Sequence, residues 1–337
     1  MKGVLIAAAV VAALFLANGL LTGSLVPGVS ISPYFVQILC LAGINVILAV
    51  SLNLTSGFTG QFSIGHAGFM AIGAYASAAV SYYGGDRLRA AFGFLPAVLS
   101  DSVVLLVALA AGALLAAIAG FFVGVPSLRL RGDYLAIVTL GFGEIIRVFI
   151  LNIDKVGGAR GFSGIPKLAN FFWIYLFAVL TILVVYRIVH SSFGRTLIAI
   201  REDEIAAEAM GVDTVRAKVI TFVVSSTMAG IGGGLFGHYL MYLHTNSFTF
   251  IRSIEIIIMI VIGGLGSITG SVLGAFVIIG LSEALRAIGA LRMIVFALLL
   301  ILIMRFRPQG ILGQRGFGSF LMRRRRLPTV PAAPLGH

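Results

Sequence analysis

The sequence of 337 residues has little charge, few acidic side chains and a single cysteine. Charged residues make up 11% of it, whereas a soluble domain carries roughly 25%. One cysteine, Cys40, excludes a disulfide framework within the chain and a thiolate metal site. The sequence also lacks the G-x-x-x-x-G-K-[ST] loop that cradles nucleotide phosphates, and no stretch between its apolar blocks is long enough for a soluble catalytic domain. We therefore expect no enzymatic activity, no cofactor and no metal.

Apolar residues are abundant: they form 59% of the sequence, at a mean hydropathy of +1.09. They run in long blocks, such as Val4 to Leu21 and Val103 to Val125. Because a helix rises 1.5 Å per residue, about 20 such residues cross a ~30 Å hydrocarbon core. The blocks predict an all-α polytopic membrane protein with about ten transmembrane helices, near residues 4–21, 32–54, 62–82, 102–125, 133–151, 170–189, 216–240, 252–264, 268–288 and 292–306. The block 252–264 is too short to cross alone, and 84–101 could form a partial or interfacial helix.

The net charge of +12 comes from basic residues in short hydrophilic gaps rather than from a nucleic-acid-binding surface. Ten crossings place both termini on one side, and the positive-inside rule makes that side cytoplasmic. The gap 152–167 then lies outside, and we expect the first span to be retained rather than cleaved as a signal peptide. The residues that favour this orientation are Lys2, Arg129, Arg131, Arg195, Arg201, Arg216, Lys218 and Arg323 to Arg326.

Glycine is enriched, with 42 residues where average usage would give roughly 24. Several pairs are four apart, such as Gly120 and Gly124 or Gly230 and Gly234, a spacing that lets helices approach closely in lipid. In 57–65 and 263–270 glycine is dense enough to break a helix. Broken helices in corresponding positions are typical of transporters with internal repeats, so 57–74 and 263–280 are a candidate pair in a possible inverted repeat.

Polar side chains within the apolar blocks are the candidates for a translocation pathway. They are Gln61, Ser63 and His66 in "GQFSIGHAGFMAIGAY" and the pair Glu144 and Arg147. Such groups are costly in a membrane and often functional. The alternative is structural: the first three could bond neighbouring helices, and Glu144 and Arg147, three residues apart, could pair with each other. Glu255 could equally be an interfacial residue.

The segment at about 190–215 is the only long charged stretch between the apolar blocks. Leu197, Ile200, Ile205 and Met210 recur near helical spacing, which predicts one short amphipathic helix. Gly211 should end that helix, and a following Asp213 should cap the next one. The segment is either a solvated connector or a site where a soluble partner docks.

A rival interpretation is an intramembrane serine protease. "GFSG" at 161–164 matches the G-x-S-G motif of rhomboid proteases, and His238 follows on a later span. Against it, Ser163 lies in a polar gap rather than at the buried start of a helix, and the charged segment stays unexplained. A passive channel is a further alternative.

Four stretches together resemble the LivM-type permeases, the membrane subunits of bacterial ABC importers for branched-chain amino acids. They are "LNLTSGFTGQFSIGHAGFMAIGAY" (52–75), "LRGDYLAIVTLGFGEIIRV" (130–148), "VGGARGFSGIP" (156–166) and "GRTLIAIREDEIAAEAMG" (194–211). With the glycine-rich run at 261–275, the resemblance spans nearly the whole chain. It implies transport of leucine, isoleucine and valine, although related permeases carry urea, short amides or aromatic acids.

The resemblance also implies partners and a docking loop. ABC permeases carry Glu-Ala-Ala, three residues and then Gly where the ATPase binds; Ala206, Ala207 and Gly211 match, while Ile205 replaces the Glu. The implied partners are a second homologous permease in a heterodimer, two ATPase subunits, a periplasmic binding protein and the lipid bilayer of the inner membrane. The expected domains are a permease, 1–315, and a basic tail, 316–337. The expected docking residues are Arg201, Glu202, Asp203, Glu204, Ala206, Ala207 and Gly211.

Overall fold

A computed structural model describes residues 12–19, 32–93, 96–128 and 134–306. Its helices are α1 (12–19), α2 (Pro33–Asn53), α3 (His66–Ala91), α4 (Ala97–Ser127), α5 (Tyr134–Leu151), α6 (Phe171–Val189), α7 (Ser192–Glu202), α8 (Glu204–Ala209), α9 (Thr214–Leu240), α10 (Phe250–Gly263), α11 (Ile268–Ala284) and α12 (Arg292–Phe306). A π-helical turn covers Leu54–Phe58, and 3₁₀ turns cover Asp154–Val156, Gly158–Arg160, Thr245–Phe248 and Arg286–Leu291. Two short strands, β1 (Phe162–Ser163) and β2 (Tyr242–Leu243), pair antiparallel.

The expected all-α membrane architecture is confirmed, whereas the count of ten crossings stays a prediction. In the described part of the chain, six segments are long and apolar enough to cross a membrane, and Ile268–Ala284 is a shorter apolar helix. One of the six, Thr245–Gly263, gains its length by adding the turn before α10. Residues 1–11, Arg129, Arg131 and the tail 316–337 with its arginines lie outside the described residues.

Most predicted boundaries agree with the helices within a few residues, and one region differs. Residues 84–91 lengthen α3 and residues 97–101 begin α4, instead of forming a separate interfacial helix. The α3 helix also begins at His66 rather than near 62, because residues 59–65 are not helical. That irregular stretch is the first of the two predicted helix breaks.

Helices α3, α4 and α9 form the tightly packed centre of the bundle, with α2 against α9. A β-carbon on Gly73 would lie 2.1 Å from the carbonyl oxygen of Gly230, and one on Gly233 would lie 1.9 Å from the carbonyl oxygen of Met70. The backbones of α3 and α9 therefore touch. The predicted packing role of Gly230 is confirmed, since van der Waals contact and small residues hold helices together in lipid.

The bundle has two chemically distinct ends. We call the end that carries α7, α8 and the two helix breaks the loop end. The opposite end carries the 3₁₀ turns near Asp154 and the paired strands, and we call it the strand end. There the Tyr83 hydroxyl donates to the Lys155 carbonyl, and the rings of Tyr82 and Phe162 lie 5.2 Å apart.

Candidate functional site

The two predicted helix breaks touch each other at the loop end through Asn53. Its side-chain amide donates to the Ser267 carbonyl at 3.0 Å, and its oxygen accepts from the Gly266 amide at 2.9 Å. Asn53 is fully buried, and Gly266 has a positive φ of 77°. One side chain thus bonds to two backbone groups of the second break, and it joins segments more than 200 residues apart.

Arg201, at the end of α7, reaches the same place from the loop. Its Nη1 donates to the Gly57 carbonyl at 3.1 Å, and its Nη2 pairs with Glu202 at 2.6 Å. A β-carbon on Gly60 or on Gly266 would come within 2.9 Å of the Arg201 side chain. The predicted docking residue Arg201 is therefore packed against both helix breaks.

The segment 192–209 contains two helices, so the expectation of a single amphipathic helix is wrong. Asp203 has extended backbone angles, and its Oδ1 accepts from the amides of Ile205 and Ala206 at 2.9 and 3.0 Å. A carboxylate in this position caps the first turn of a new helix. The other predicted signals are confirmed: Gly211 has a φ of +85°, and Asp213 caps α9 through the Arg216 amide at 2.9 Å.

The apolar residues of this segment face in two directions. Leu197 and Ile200 on α7 are buried against the bundle, and Ala207 on α8 is buried as well. In contrast, Ile205 is 67% exposed and Met210 is 85% exposed. The short helix α8 therefore presents an uncovered apolar face, which also includes the exposed Ala206 and Ala209.

Polar contacts hold α8 firmly on the start of α9. Lys218 and Glu204 form an ion pair of 2.6 Å, in which the Lys218 side chain is only 6% exposed. The Thr214 hydroxyl donates to Glu208 at 2.8 Å. The uncovered face of α8 is thus a fixed surface, so a partner could bind it without first ordering it.

The pathway candidates Gln61, Ser63 and His66 are all buried around the first break. His66 Nε2 lies 3.0 Å from Ser51 Oγ, and the Ser51 hydroxyl itself donates to the Leu48 carbonyl. The imidazole therefore donates to Ser51 and links the start of α3 to α2.

Gln61 differs from His66, because its amide oxygen and nitrogen have no hydrogen-bond partner among the described residues. The same holds for the hydroxyls of Thr55 and Ser56, in the π-helical turn that opens the break. The large majority of buried polar side-chain atoms in folded proteins have a hydrogen-bond partner. The first break therefore holds a cluster of polar atoms able to accept a partner or a passing solute.

Glu144 and Arg147 form an ion pair of 2.7 Å on α5, with side chains about a third and a quarter exposed. The other oxygen of Glu144 accepts from the Phe250 amide at 3.3 Å, at the start of α10. A β-carbon on Gly143 would lie 3.3 Å from the α-carbon of Gly65. The structure thus brings Glu144 beside the inner part of the first break.

Sequence reasoning missed a second charged cluster, between the first turn of α10 and the middle of α2. Arg252 Nη1 pairs with Glu255 at 2.8 Å, and Arg252 Nη2 donates to the buried Asn45 at 2.7 Å. Both charged side chains are about one-sixth exposed. The signal was present, because Arg252 and Glu255 are opposite charges three residues apart in an otherwise apolar helix, the same spacing as Glu144 and Arg147.

The geometry does not support a serine protease. His238 is fully buried, and its Nδ1 lies 3.2 Å from the Pro166 carbonyl, to which it must donate. Its Nε2 lies 3.0 Å from Ser77 Oγ. Both ring nitrogens are therefore engaged with groups other than Ser163, which is exposed on β1.

Comparisons with known proteins agree with these features. The family model "Branched-chain amino acid transport system / permease component" matches residues 34–304. The permease LivM of Escherichia coli is 36% identical over 312 residues, covering 82% of this chain and 69% of that protein. A probable LivM of Methanocaldococcus jannaschii is 28% identical over 321 residues, covering 83% of this chain and 93% of the relative.

A second type of permease matches a smaller part. LivH of Salmonella typhimurium is 33% identical over 164 residues, covering 47% of this chain and 52% of that protein. No solved structure matches the chain. The family match covers most of the sequence, including both helix breaks and the segment between α6 and α9. This chain therefore belongs to the family of permease components of branched-chain amino acid transport systems.

Proposed function

We propose that this chain is the membrane-spanning subunit of an ATP-driven importer that moves leucine, isoleucine and valine into the cytoplasm. This substrate class is supported by its relatives, which are named as permeases of branched-chain amino acid transport. The main structural support for an ATP-driven mechanism is the fixed, uncovered apolar face of α8 at the loop end. Since the sequence has no phosphate loop, energy must come from a separate ATPase, and this face is where such a partner can bind.

The proposed topology has ten crossings, with both termini and the loop end in the cytoplasm of a bacterial inner membrane. Arg195, Arg201, Arg216 and Lys218 all belong to the loop end, as the positive-inside rule requires of a cytoplasmic loop. The strand end then faces the periplasm. A periplasmic binding protein would deliver substrate there.

In the proposed docking site, the motif residues have different tasks. Ala206 is exposed on α8 beside Ile205 and can touch the ATPase, whereas Ala207 is buried and positions the helix. Gly211 lets the chain turn back toward α9 with a positive φ. Burial of exposed apolar surface is the main driving force for such an association.

Arg201 provides a physical link from the docking site to the membrane interior. It lies two residues before Asp203, the cap of α8, and donates to the Gly57 carbonyl in the first break. Glu202, Asp203 and Glu204 complete the charged junction between the two helices. A displacement of α8 by the ATPase would therefore pull on the first break through Arg201.

The proposed translocation pathway passes the first break. Gln61 is the best candidate for contact with a solute, since its buried amide has no partner among the described residues. Ser63 and His66 flank it, and Glu144 with Arg147 lies beside its inner part. Because a pathway must release its cargo, modest polar contacts suit it better than a deep pocket.

The proposed assembly contains a second homologous permease, two ATPase subunits and a binding protein. Relatives of both the LivM and LivH types match this chain, which favours a heterodimer of two related permeases. The permease domain would cover 1–315, and the basic residues of 316–337 would lie at the cytoplasmic surface.

The test is uptake of labelled leucine into proteoliposomes that contain the complete assembly. We expect uptake to require ATP and the binding protein, and to be reduced by excess valine or isoleucine. Competition by urea, short amides or aromatic acids instead would assign the alternative substrates. Leucine flux without ATP and without the ATPase subunits would indicate a passive channel and refute the proposal.

A further inference from the structure

A cavity of about 250 Å³ lies between α2, α10 and α11, along the half of α2 that leads to the strand end. Charged side chains from three elements line it: Arg252 and Glu255 from α10, Glu283 from the end of α11, and Arg286 from the turn after it. The α2 wall is apolar, with Ile38 and Leu41. A single cavity therefore combines both signs of charge with a branched apolar wall.

Among the described residues that line this cavity, the charges balance. Arg252 pairs with Glu255 at 2.8 Å, and Arg286 pairs with Glu283 at 3.2 Å. The Tyr34 hydroxyl also contacts Glu283. Two cations and two anions give no net charge, so an entering anion or cation would leave an excess of one sign, whereas a zwitterion would not. Ionisable groups placed within a membrane bundle are costly and mark solute pathways.

We propose that this cavity is a binding site for the zwitterionic form of an amino acid with a branched apolar side chain. The choice of ligand rests on the proposed function. The carboxylate would bind the Arg252 guanidinium, the ammonium would lie against Glu255 and Glu283, and the side chain would pack on Ile38 and Leu41. Each half of the ligand then meets a partner of matching chemistry.

Size and hydrogen bonding both agree with this ligand. An apolar cavity of about 150 Å³ takes up benzene, with six heavy atoms, so a cavity of about 250 Å³ has room for leucine, with nine. A guanidinium has five N–H donors. Among the described residues, the Arg252 side chain donates to Glu255 and Asn45, which leaves donors for an incoming carboxylate without breaking either contact.

From its position, the cavity would be the first binding site that a solute meets on the proposed route into the cell. It extends inward from Glu283 and Arg286, at the end of the bundle opposite α8, to Arg252 beside Asn45. The proposed topology places the periplasm at that end. Ile38 and Leu41 lie about one and a half and about two turns into α2, so a ligand against them has already left bulk water. The unpaired amide of Gln61 would be a later contact, toward the loop end.

The test is protection of a cysteine introduced in the cavity wall. Ser282 lines the cavity and is partly exposed, and Ser282→Cys changes its size little. Cys40 is fully buried, so the parent protein serves as the blank. The assembled importer, checked by co-purification of its subunits, is treated with a membrane-impermeant thiol reagent from the strand end. The matched control is Ser163→Cys, an exposed position at the same end but outside the cavity.

We expect millimolar leucine to slow labelling of Ser282→Cys severalfold and to leave Ser163→Cys unchanged. 4-Methylpentanoate and 3-methylbutylamine, which each lack one charge of leucine, should not protect. Adding Arg252→Gln should abolish protection, whereas Arg252→Lys should retain part of it. A merely structural ion pair would not produce this dependence on both charges of the ligand.

Two results would overturn the assignment: no labelling of Ser282→Cys from the strand end, or equal labelling with and without leucine in an assembly that imports leucine. In both cases the proposed function would stand. Conversely, protection by leucine in an assembly that fails to import it would keep the binding site and refute the proposed transport activity.

Discussion

Truncation of Ile205 to alanine is the sharpest test of the docking surface. Ile205 lies on the uncovered face of α8, next to the Asp203 cap, and is 67% exposed. Alanine keeps the helix, the cap and the buried Ala207 contact. The change therefore removes apolar surface that only a partner can cover.

The expected loss follows from the surface removed. Isoleucine has three carbon atoms more than alanine, and each buried CH₂ contributes about 0.8 kcal/mol. Since about two-thirds of the side chain is available to a partner, full coverage would be worth about 1.6 kcal/mol, or about a 15-fold weaker affinity for the ATPase. The permease itself should lose little stability, because most of this surface is uncovered before the partner binds.

The assay is a titration of the ATPase subunit onto the permease dimer in nanodiscs, with substrate-stimulated ATP hydrolysis as the signal. The half-saturating ATPase concentration should rise about 15-fold for Ile205→Ala, while the maximal rate is approached at high concentration. The matched control is Ile301→Ala on α12, where the side chain is 63% exposed in a helix that we place in lipid. An unchanged titration for Ile205→Ala, or an equal shift for Ile301→Ala, would contradict the docking assignment.

Three further predictions concern packing, topology and the pathway. Gly73→Ala should lower the thermal stability of the bundle, because its β-carbon would lie 2.1 Å from a backbone oxygen of α9. The control Gly84→Ala should be tolerated, because a β-carbon there has nothing within 4 Å. Equal melting temperatures for the two variants would refute the contact. Cysteines at Arg160 and Asp203 should be labelled from opposite sides of the membrane, and periplasmic labelling at Asp203 in intact cells would overturn the topology. His66→Phe removes the hydrogen bond across α2 and α3, so the yield of assembled complex should fall; normal yield with a severalfold loss of uptake per complex would instead assign this side chain to the pathway.

Several features of the loop end were predictable because they depend on neighbouring residues in the chain. Gly211 ends a helix and Asp213 begins the next through contacts within four residues, so both could be read from the sequence. The break at Asp203 was missed for a related reason. An aspartate within an amphipathic pattern is equally compatible with a polar helix face and with a helix cap. The helical spacing of Leu197 and Ile200 also continues through Ile205, beyond Asp203.

The two helix breaks show where local reasoning stops. Glycine density predicted both breaks, since the chain there adopts positive φ at Gly60, Gly264 and Gly266. That the breaks touch was not predictable, because Asn53 reads as one more polar residue near a helix end. Only the folded bundle shows that its amide bonds to the Gly266 and Ser267 backbone groups.

The sequence by itself determined the class of protein, the approximate spans and the candidate docking segment. Bilayer thickness sets the length of an apolar helix, and that length is visible along the chain. Which helices touch was decided only by the tertiary structure. Lipid tails are as apolar as a neighbouring helix, so the lateral packing of α2, α10 and α11 leaves no periodic signal. The cavity that gathers Arg252, Glu255, Glu283 and Arg286 therefore exists only once three separate helices have packed around it.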